Sequence, residues 1–151
     1  MRIYFDMDGT IADLYNVEDW LPKLRAEDVS PYLAAEPLVN MIELQDYFLG
    51  LQAHGYELGI ISWTSKGGSA EYNEEVRKAK LLWLKQMLPL VQFDEVHIVK
   101  YGTRKDYVAK DKSGIIFDDD EKVREKWRGQ AINPNTEDII EILSKINEMT
   151  E

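Results

Sequence analysis

Short apolar runs that each stop at a polar residue are the feature that most constrains the fold of this chain. Four such runs lie at 3–5, 58–61, 96–99 and 115–117, and a shorter one lies at 131–132. Three of the first four are nearly continuous in apolar character, which is typical of strands covered on both faces of a sheet. The runs therefore predict a parallel sheet that is buried between helices.

Helical patterns fill the intervals between these runs. The first extends over about 38–54 and the second over about 69–88, and Asn135 is expected to cap a last helix. Strands that alternate with helices indicate βαβ units. We therefore predict an α/β fold, in which an open parallel sheet has helices on both faces and residues 1–151 form a single domain.

One segment, at about 14–36, does not fit this alternation. The connection between a strand and the next helix usually takes about 2–6 residues, and this one is several times longer. Trp20, Leu21 and Leu24 lie at helical spacing within it, and Pro31 follows. Long connections in compact domains are usually functional, so we predict a small helical cap inserted after the first strand.

The composition excludes several kinds of site and partner. With 18 Lys and Arg against 28 Asp and Glu, the net charge of −10 argues against duplex nucleic acid as a partner. Because the chain has no Cys and two His, disulfides, a thiol nucleophile and thiolate or His-rich metal sites are excluded. No apolar run is long enough to span a membrane, and the acidic Asp6 argues against a signal peptide, so we expect a cytoplasmic protein.

Polar residues follow the predicted strands at one edge of the sheet, where open α/β sheets bind their ligands. They are Asp6, Asp8, Gly9 and Thr10 after the first strand, Ser62, Trp63 and Thr64 after the second, 100–105 after the third, and Asp118, Asp119 and Asp120 after the fourth. Carboxylates suit Mg²⁺, while a hydroxyl group and a lysine suit phosphate oxygens. The pattern therefore predicts a Mg²⁺ site that binds a small phosphorylated substrate.

The sequence Asp-Met-Asp-Gly-Thr at 6–10, directly after a strand, resembles the first motif of the haloacid dehalogenase (HAD) superfamily. The segments 60–62 and 116–119 resemble its second and fourth motifs, and the third motif is a lysine in a loose context. The resemblance covers most of the chain, with the motifs in the right order. It implies a HAD-like fold, which is a Rossmann-like open parallel sheet with a cap after the first strand.

The resemblance also implies a phosphatase mechanism. Asp6 would attack phosphorus and form an aspartyl-phosphate, while Asp8 would protonate the leaving alcohol and then deprotonate water. Mg²⁺ would be held by Asp6, the backbone carbonyl of Asp8, and Asp118 or Asp119, with Asp120 as the next choice. The alternative for the acidic run 118–121 is the solvent-exposed start of a helix, where acidic side chains are favourable.

Two further groups are expected to bind the phosphate. Ser62 would hydrogen-bond a phosphate oxygen, with Thr64 or Ser65 as alternatives, and Trp63 lies beside the site. The lysine is expected to be Lys105, which follows a Gly-Thr turn and would open the next helix facing the site. Lys100 is the second choice, and Lys110 and Lys112 are less favoured.

The small cap and the sequence Ser-Trp-Thr-Ser at 62–65 resemble the 5′-deoxyribonucleotidase branch of the superfamily. That branch has Thr-Ser-Pro at the second motif, whereas this chain has Lys66 after Thr-Ser. The resemblance implies a nucleoside monophosphate as substrate. Four aromatic residues near the expected mouth would suit a base: Tyr15, Trp20, Tyr32 and Trp63. The alternative for Trp20 and Tyr32 is that they form the core of the cap.

Other functions compete with a nucleotidase. A phosphatase for sugar phosphates or nucleic-acid ends would use the same residues with an open site. A non-catalytic module that binds phosphate or a protein would keep the fold, but it would have no need of the second acid, Asp8. The chain is expected to be a monomer, because no long unpaired apolar stripe is evident.

Overall fold

The protein, described here by a computed structural model over residues 1–150, contains seven strands in two sheets. The strands are β1 (Arg2–Phe5), β2 (Ala12–Asp13), β3 (Glu36–Pro37), β4 (Glu57–Trp63), β5 (Glu95–Val99), β6 (Ile115–Phe117) and β7 (Gln130–Ile132). Five of them form one sheet in the order β5-β4-β1-β6-β7, and every neighbouring pair is parallel. The predicted open parallel sheet is confirmed, and each of the five predicted runs lies within one of its strands.

Helices cover both faces of this sheet. They are α1 (Trp20–Arg25), α2 (Ser30–Ala34), α3 (Met41–Ala53), α4 (Ala70–Met87), α5 (Lys105–Val108), α6 (Glu121–Lys126) and α7 (Ile139–Thr150). Ile3 and Phe5 of β1 pack in one core cluster with α3, α4 and α7. Tyr4 points the other way and packs with Val123 of α6 and with Trp127. Among residues 1–150, no helix is both long enough and apolar enough to cross a lipid bilayer.

The start of the last helix differs from the prediction. Asn135 does not cap it, because 133–136 form a separate turn in which the Asn133 side chain accepts a hydrogen bond from the backbone of Asn135. The helix begins at Ile139, and the Asp138 carboxylate accepts a hydrogen bond from the backbone N–H of Glu141 at 3.1 Å. Asn and Asp are both good caps, so the nearer acid takes the role once the turn is formed.

The long connection after β1 is closed at its base by a short ladder. Strands β2 and β3 pair antiparallel, with Ala12 opposite Pro37 and Asp13 opposite Glu36. Residues 14–35, hereafter the insert, contain a 3₁₀ turn at Leu14–Asn16 together with α1 and α2. Strands of two residues carry too little pattern to be predicted from sequence, so this ladder was not expected.

The insert is anchored to α4. Its residues Leu14 and Tyr32 form a buried cluster with Tyr72 and Val76 of that helix. The Glu27 carboxylate accepts hydrogen bonds from the Ser69 backbone N–H at 3.1 Å and from the Ser69 hydroxyl at 2.9 Å. Apolar contact and hydrogen bonds together hold the insert over one end of the sheet.

We predict that Gly59→Ala destabilises the protein. A Cβ atom at Gly59 in β4 would lie 2.6 Å from Cδ1 of Tyr4, whose ring is fully buried between strand and helix. Overpacking of this kind costs about 1–3 kcal/mol of the free energy of unfolding, measurable by urea denaturation. Gly50→Ala is the matched control, because a Cβ there meets an ordinary contact at 3.6 Å and alanine favours the helix. Equal stability of the two variants would contradict the prediction.

Candidate functional site

A cavity of about 840 Å³ lies at the carboxyl ends of the central strands, between the sheet and the insert. The sheet side contributes mostly polar residues and the insert contributes mostly aromatic and aliphatic ones. The lining includes Asp6, Asp8, Trp63, Thr64, Ser65, Lys66, Tyr101, Lys105, Asp118, Asp119 and Asp120, together with Leu14, Tyr15, Trp20, Leu24, Arg25, Glu27 and Tyr32. Most of the residues predicted from sequence therefore meet at one cavity.

The loop after β1 turns sharply at the floor of this cavity. The carbonyl oxygen of Met7 accepts hydrogen bonds from the backbone N–H groups of Thr10, Ile11 and Ala12 at 2.9–3.1 Å. Gly9 has a φ of +82°, and a Cβ atom there would collide with the Asp119 carboxylate. Glycine suits this position, because the backbone is left-handed and Asp119, from the segment after β6, lies directly against it.

Three carboxylates converge beside the loop. Asp6, Asp118 and Asp119 each offer an oxygen atom, and these atoms lie within 4.8 Å of one another. Burial, followed by the charge of Asp6, raises the pKa of Asp118 to about 7 and that of Asp119 to about 8. Crowded acids of this kind hold protons at neutral pH unless a cation compensates their charge.

Lys105 joins the nucleophile candidate to this cluster. Its Nζ atom lies 3.0 Å from Oδ1 of Asp6 and 2.7 Å from Oδ2 of Asp118, and the side chain is buried. Burial alone would lower the pKa of Lys105, but the charges of Asp6 and Asp118 outweigh it and raise that pKa above its ordinary value. Lys105 is therefore charged, and it opens α5 as expected.

The alternative lysines lie elsewhere. Lys100 and Lys110 are exposed, and neither lines the cavity. The Lys112 ammonium donates to the backbone carbonyls of Asp106, Tyr107 and Ala109, so it binds the C-terminal end of α5. The geometry thus favours Lys105, the first choice from sequence.

Sequence reasoning missed a second buried lysine. Lys80 of α4 is 1% exposed, and its Nζ atom lies 2.7 Å from each of three oxygens: Oδ2 of Asp8, Oγ of Ser62 and the carbonyl oxygen of Trp63. A signal was present in the sequence, because Lys80 lies four residues after Val76 and three before Trp83, on the buried side of the helix. Lysine at such a position needs a buried partner.

Ser62 does not line the cavity. It is fully buried, and its hydroxyl oxygen accepts the hydrogen bond from Lys80. Strand β4 continues to Trp63, two residues beyond the predicted strand end at Ile61, so the alternation of side chains extends over Ser62 and Trp63. Thr64 and Ser65, the alternatives to Ser62, line the cavity instead, and so does Trp63.

The acidic run after β6 divides between two roles. The Asp120 carboxylate accepts hydrogen bonds from the backbone N–H groups of Lys122 and Val123, so it caps α6. Asp118 and Asp119 remain with Asp6 in the carboxylate cluster. The Asp8 carboxylate faces Lys80 instead, and it stands apart from that cluster.

Aromatic side chains form two pairs on the cavity wall. Tyr15 and Trp20 of the insert have ring centroids 5.1 Å apart, and Trp63 and Tyr101 have centroids 4.9 Å apart. Tyr101 was not predicted. Tyr32 of the insert is buried against α4 with its ring centroid 5.2 Å from Nζ of Lys80, so it belongs both to the core of the insert and to the cavity wall.

The donor set of the site fits Mg²⁺. Four carboxylates, those of Asp6, Asp8, Asp118 and Asp119, face two lysines, so two negative charges remain when all are ionised. Hard oxygen ligands and a charge of minus two match a divalent magnesium ion. Asp6, Asp118 and Asp119 are the residues whose side chains would hold it.

Comparison with protein-family models found no matching model, and comparison with curated proteins found no match. What the site can do is therefore inferred from its own geometry and charge.

We predict that the carboxylate cluster destabilises the metal-free protein as pH rises. The pKa values of Asp118 and Asp119 in the folded protein exceed the ordinary value of 3.8. The stability that these protonated carboxyl groups contribute is therefore full below pH 3.8 and is lost as the pH rises through about 7 to 8. Measured by urea denaturation in EDTA, the wild type should lose at least about 2 kcal/mol relative to Asp119→Asn between pH 4 and pH 8, since each pH unit between the unfolded and folded pKa values contributes up to about 1.4 kcal/mol.

Asp46→Asn is the control, because Asp46 is an exposed acid on α3. It should follow the wild type at every pH. A stability difference between wild type and Asp119→Asn that does not change with pH would contradict the prediction.

Proposed function

We propose that this protein is a Mg²⁺-dependent phosphomonoester hydrolase of the HAD superfamily, acting through an aspartyl-phosphate on Asp6. The observation that carries the proposal is that two carboxylates only two residues apart in sequence have different surroundings. Asp6 lies with Lys105 and the carboxylate cluster, whereas Asp8 lies with Lys80. A nucleophile and an acid–base group need such different surroundings.

Asp6 is suited to attack phosphorus. Its Oδ1 atom accepts a hydrogen bond from Lys105 and its Oδ2 atom accepts one from Thr10, which together fix the carboxylate at the cavity floor. A lone pair of Asp6 forms the bond to phosphorus while the bond from phosphorus to the ester oxygen breaks. The leaving oxygen takes that electron pair and receives a proton from Asp8.

The second half of the reaction restores the site. Asp8, now ionised, accepts a proton from a water molecule whose oxygen attacks phosphorus. The bond from phosphorus to Asp6 breaks, and phosphate leaves with the carboxylate regenerated. Burial raises the pKa of Asp8 above its ordinary value, and the charge of Lys80 offsets only part of this effect, so Asp8 is able to hold the proton that it donates.

A bound Mg²⁺ ion supplies positive charge that lets a carboxylate approach an anionic phosphate. Asp6, Asp118 and Asp119 would hold it, together with the backbone carbonyl of Asp8. Lys105 adds a fixed positive charge on the same side of Asp6. Thr64 lines the cavity beside these groups and would donate a hydrogen bond to a phosphate oxygen. The Ser65 hydroxyl also lies at the cavity, but it donates its proton to Oδ1 of Asn73 at 2.7 Å.

The insert would act as the cap, and the cavity wall favours a nucleoside monophosphate as substrate. Tyr15 and Trp20 on the insert and Trp63 and Tyr101 on the sheet side offer flat surfaces to a base. Stacking of a base on an aromatic side chain contributes about 1–3 kcal/mol and tolerates any base. A sugar phosphate would leave these surfaces without a partner.

We predict that phosphate release depends on Mg²⁺ and on Asp6. The purified protein should release phosphate from nucleoside 5′-monophosphates in Mg²⁺, and EDTA should abolish release. Asp6→Asn should lower kcat by at least about 10³-fold, because the amide cannot form the covalent intermediate. Asp46→Asn should retain wild-type kcat. Release that persists in Asp6→Asn would reject the mechanism, and no release from nucleotides, sugar phosphates or nucleic-acid ends would favour a binding module.

We predict that Tyr101 contributes to recognition of a base. Tyr101→Ala should raise KM for nucleoside monophosphates about five- to tenfold, since stacking is lost, and should leave KM for a small sugar phosphate unchanged. Tyr107→Ala is the matched control, because Tyr107 is exposed and does not line the cavity. Equal effects of Tyr101→Ala on both substrate classes would argue against nucleotide specificity.

A further inference from the structure

The buried Lys80 binds both the Asp8 carboxylate and the end of β4. Its three ammonium protons meet three oxygens, those of Asp8, Ser62 and the Trp63 backbone, each at 2.7 Å. A lysine has three donors, so no hydrogen-bonding capacity of this side chain is left for a substrate. Lys80 also lies outside the cavity lining. It therefore acts on Asp8 and not on the phosphate.

We propose that Lys80 is a positioning residue that aims the Asp8 carboxylate at the leaving group. The proposal rests on the proposed phosphatase function, in which Asp8 is the acid–base group. Lys80 occupies Oδ2 of Asp8, and within residues 1–150 no group donates a hydrogen bond to Oδ1. Asp8 lines the cavity with its side chain 17% exposed, so Oδ1 is the oxygen left to exchange a proton with substrate.

The contacts of Lys80 with β4 explain how its hydrogen bond to Asp8 can fix the orientation of that carboxylate. The Trp63 carbonyl and the Ser62 hydroxyl belong to β4, which pairs with β1 over its first four residues and with β5 at Ser62 and Trp63. Asp8 lies on the loop after β1, so the lysine bridges a loop to a neighbouring strand of the rigid sheet. Alignment of an acid within a few tenths of an ångström of the leaving oxygen is what proton transfer requires.

The insert closes this arrangement from above. Tyr32 of α2 is buried, and its ring centroid lies 5.2 Å from Nζ of Lys80, close enough for a favourable cation–π contact. The ring also keeps water from the ammonium group, whose partners would otherwise exchange with solvent. Lys80 is thus held by the sheet on one side and by the insert on the other.

The two buried lysines contact different carboxylates of the proposed mechanism. Lys105 contacts Asp6 and Asp118 on the nucleophile side, whereas Lys80 contacts Asp8 on the leaving-group side. Loss of Lys105 should therefore slow hydrolysis of every phosphate ester. Loss of Lys80 should slow hydrolysis only of esters whose leaving oxygen needs a proton. A lysine with a purely structural role would affect the hydrolysis rates of all esters equally.

The test compares two esters of similar shape, phenyl phosphate and dinitrophenyl phosphate. The phenolate from the first needs protonation, while the nitro groups stabilise the anion that leaves from the second. Lys80→Met should lower kcat/KM for phenyl phosphate about 10²-fold, the usual contribution of a positioned acid, and should lower it less than about threefold for dinitrophenyl phosphate. Inhibition by orthovanadate should stay within about threefold of the wild type, because Asp6 and Lys105 are intact.

Lys78→Met is the matched control, since Lys78 lies on the exposed side of the same helix. It should leave both rates unchanged. Ser62→Ala is the second variant, which keeps Lys80 and Asp8 but removes one anchor of the lysine. It should lower the rate for phenyl phosphate alone, by about three- to tenfold, and it keeps the test valid if Lys80→Met fails to fold by circular dichroism.

Two outcomes would overturn the proposal, and they are distinguishable. Equal losses on both esters, in Lys80→Met or in Ser62→Ala, would show that Lys80 supports the fold or the phosphate site and does not position the acid. Absence of phosphate release by the wild type in Mg²⁺ from both esters, from nucleoside 5′-monophosphates, from sugar phosphates and from nucleic-acid ends would reject the phosphatase function itself, and the role of Lys80 with it.

Discussion

The crowding of negative charge at the end of β1 is the constraint on which the rest of the site depends. Four carboxylates reach one small volume, and ionised carboxylates close together repel one another strongly where water is excluded. Two buried lysines compensate part of this charge, each from a different helix. Because α4 packs on the face of the sheet reached by Phe5, and α5 lies towards the face reached by Tyr4, the compensation comes from both sides. The site therefore needs helices on both faces.

The order of the strands determines which groups become neighbours. With β1 in the centre, β6 brings Asp118 to one side of Asp6 and β4 brings Thr64 to the other. The backbone extends this pairing past the strands, since Asp6 N–H donates to the carbonyl of Phe117 and Thr64 N–H donates to that of Val99. Asp6, Asp118 and Thr64 thus stand at positions that backbone hydrogen bonds to the neighbouring strands still hold.

Much of this arrangement could be predicted from sequence, and the exceptions share a physical cause. The apolar runs identified the five strands, and the polar residues that follow them identified Asp6, Asp118 and Lys105 as neighbours. Lys80 was missed because a lysine within an amphipathic helix is usually assigned to solvent, and its partners lie 17 to 72 residues away. Ser62 was misplaced because a strand that continues by two residues moves the cavity-facing position onwards. Both exceptions depend on tertiary contacts between elements, which local patterns do not contain.

Helix α4 links the insert to the acid. Its first turns bind the insert, through Ser69 to Glu27 and through the Tyr72 hydroxyl to the carbonyl of Asp28. Two turns after Tyr72, the same helix places Lys80 against Asp8. A rigid helix transmits displacement along its axis, so a shift of the insert relative to the sheet would strain the contacts of Lys80. One helix therefore sets both the attachment of the insert and, in the proposed mechanism, the orientation of the Asp8 carboxylate.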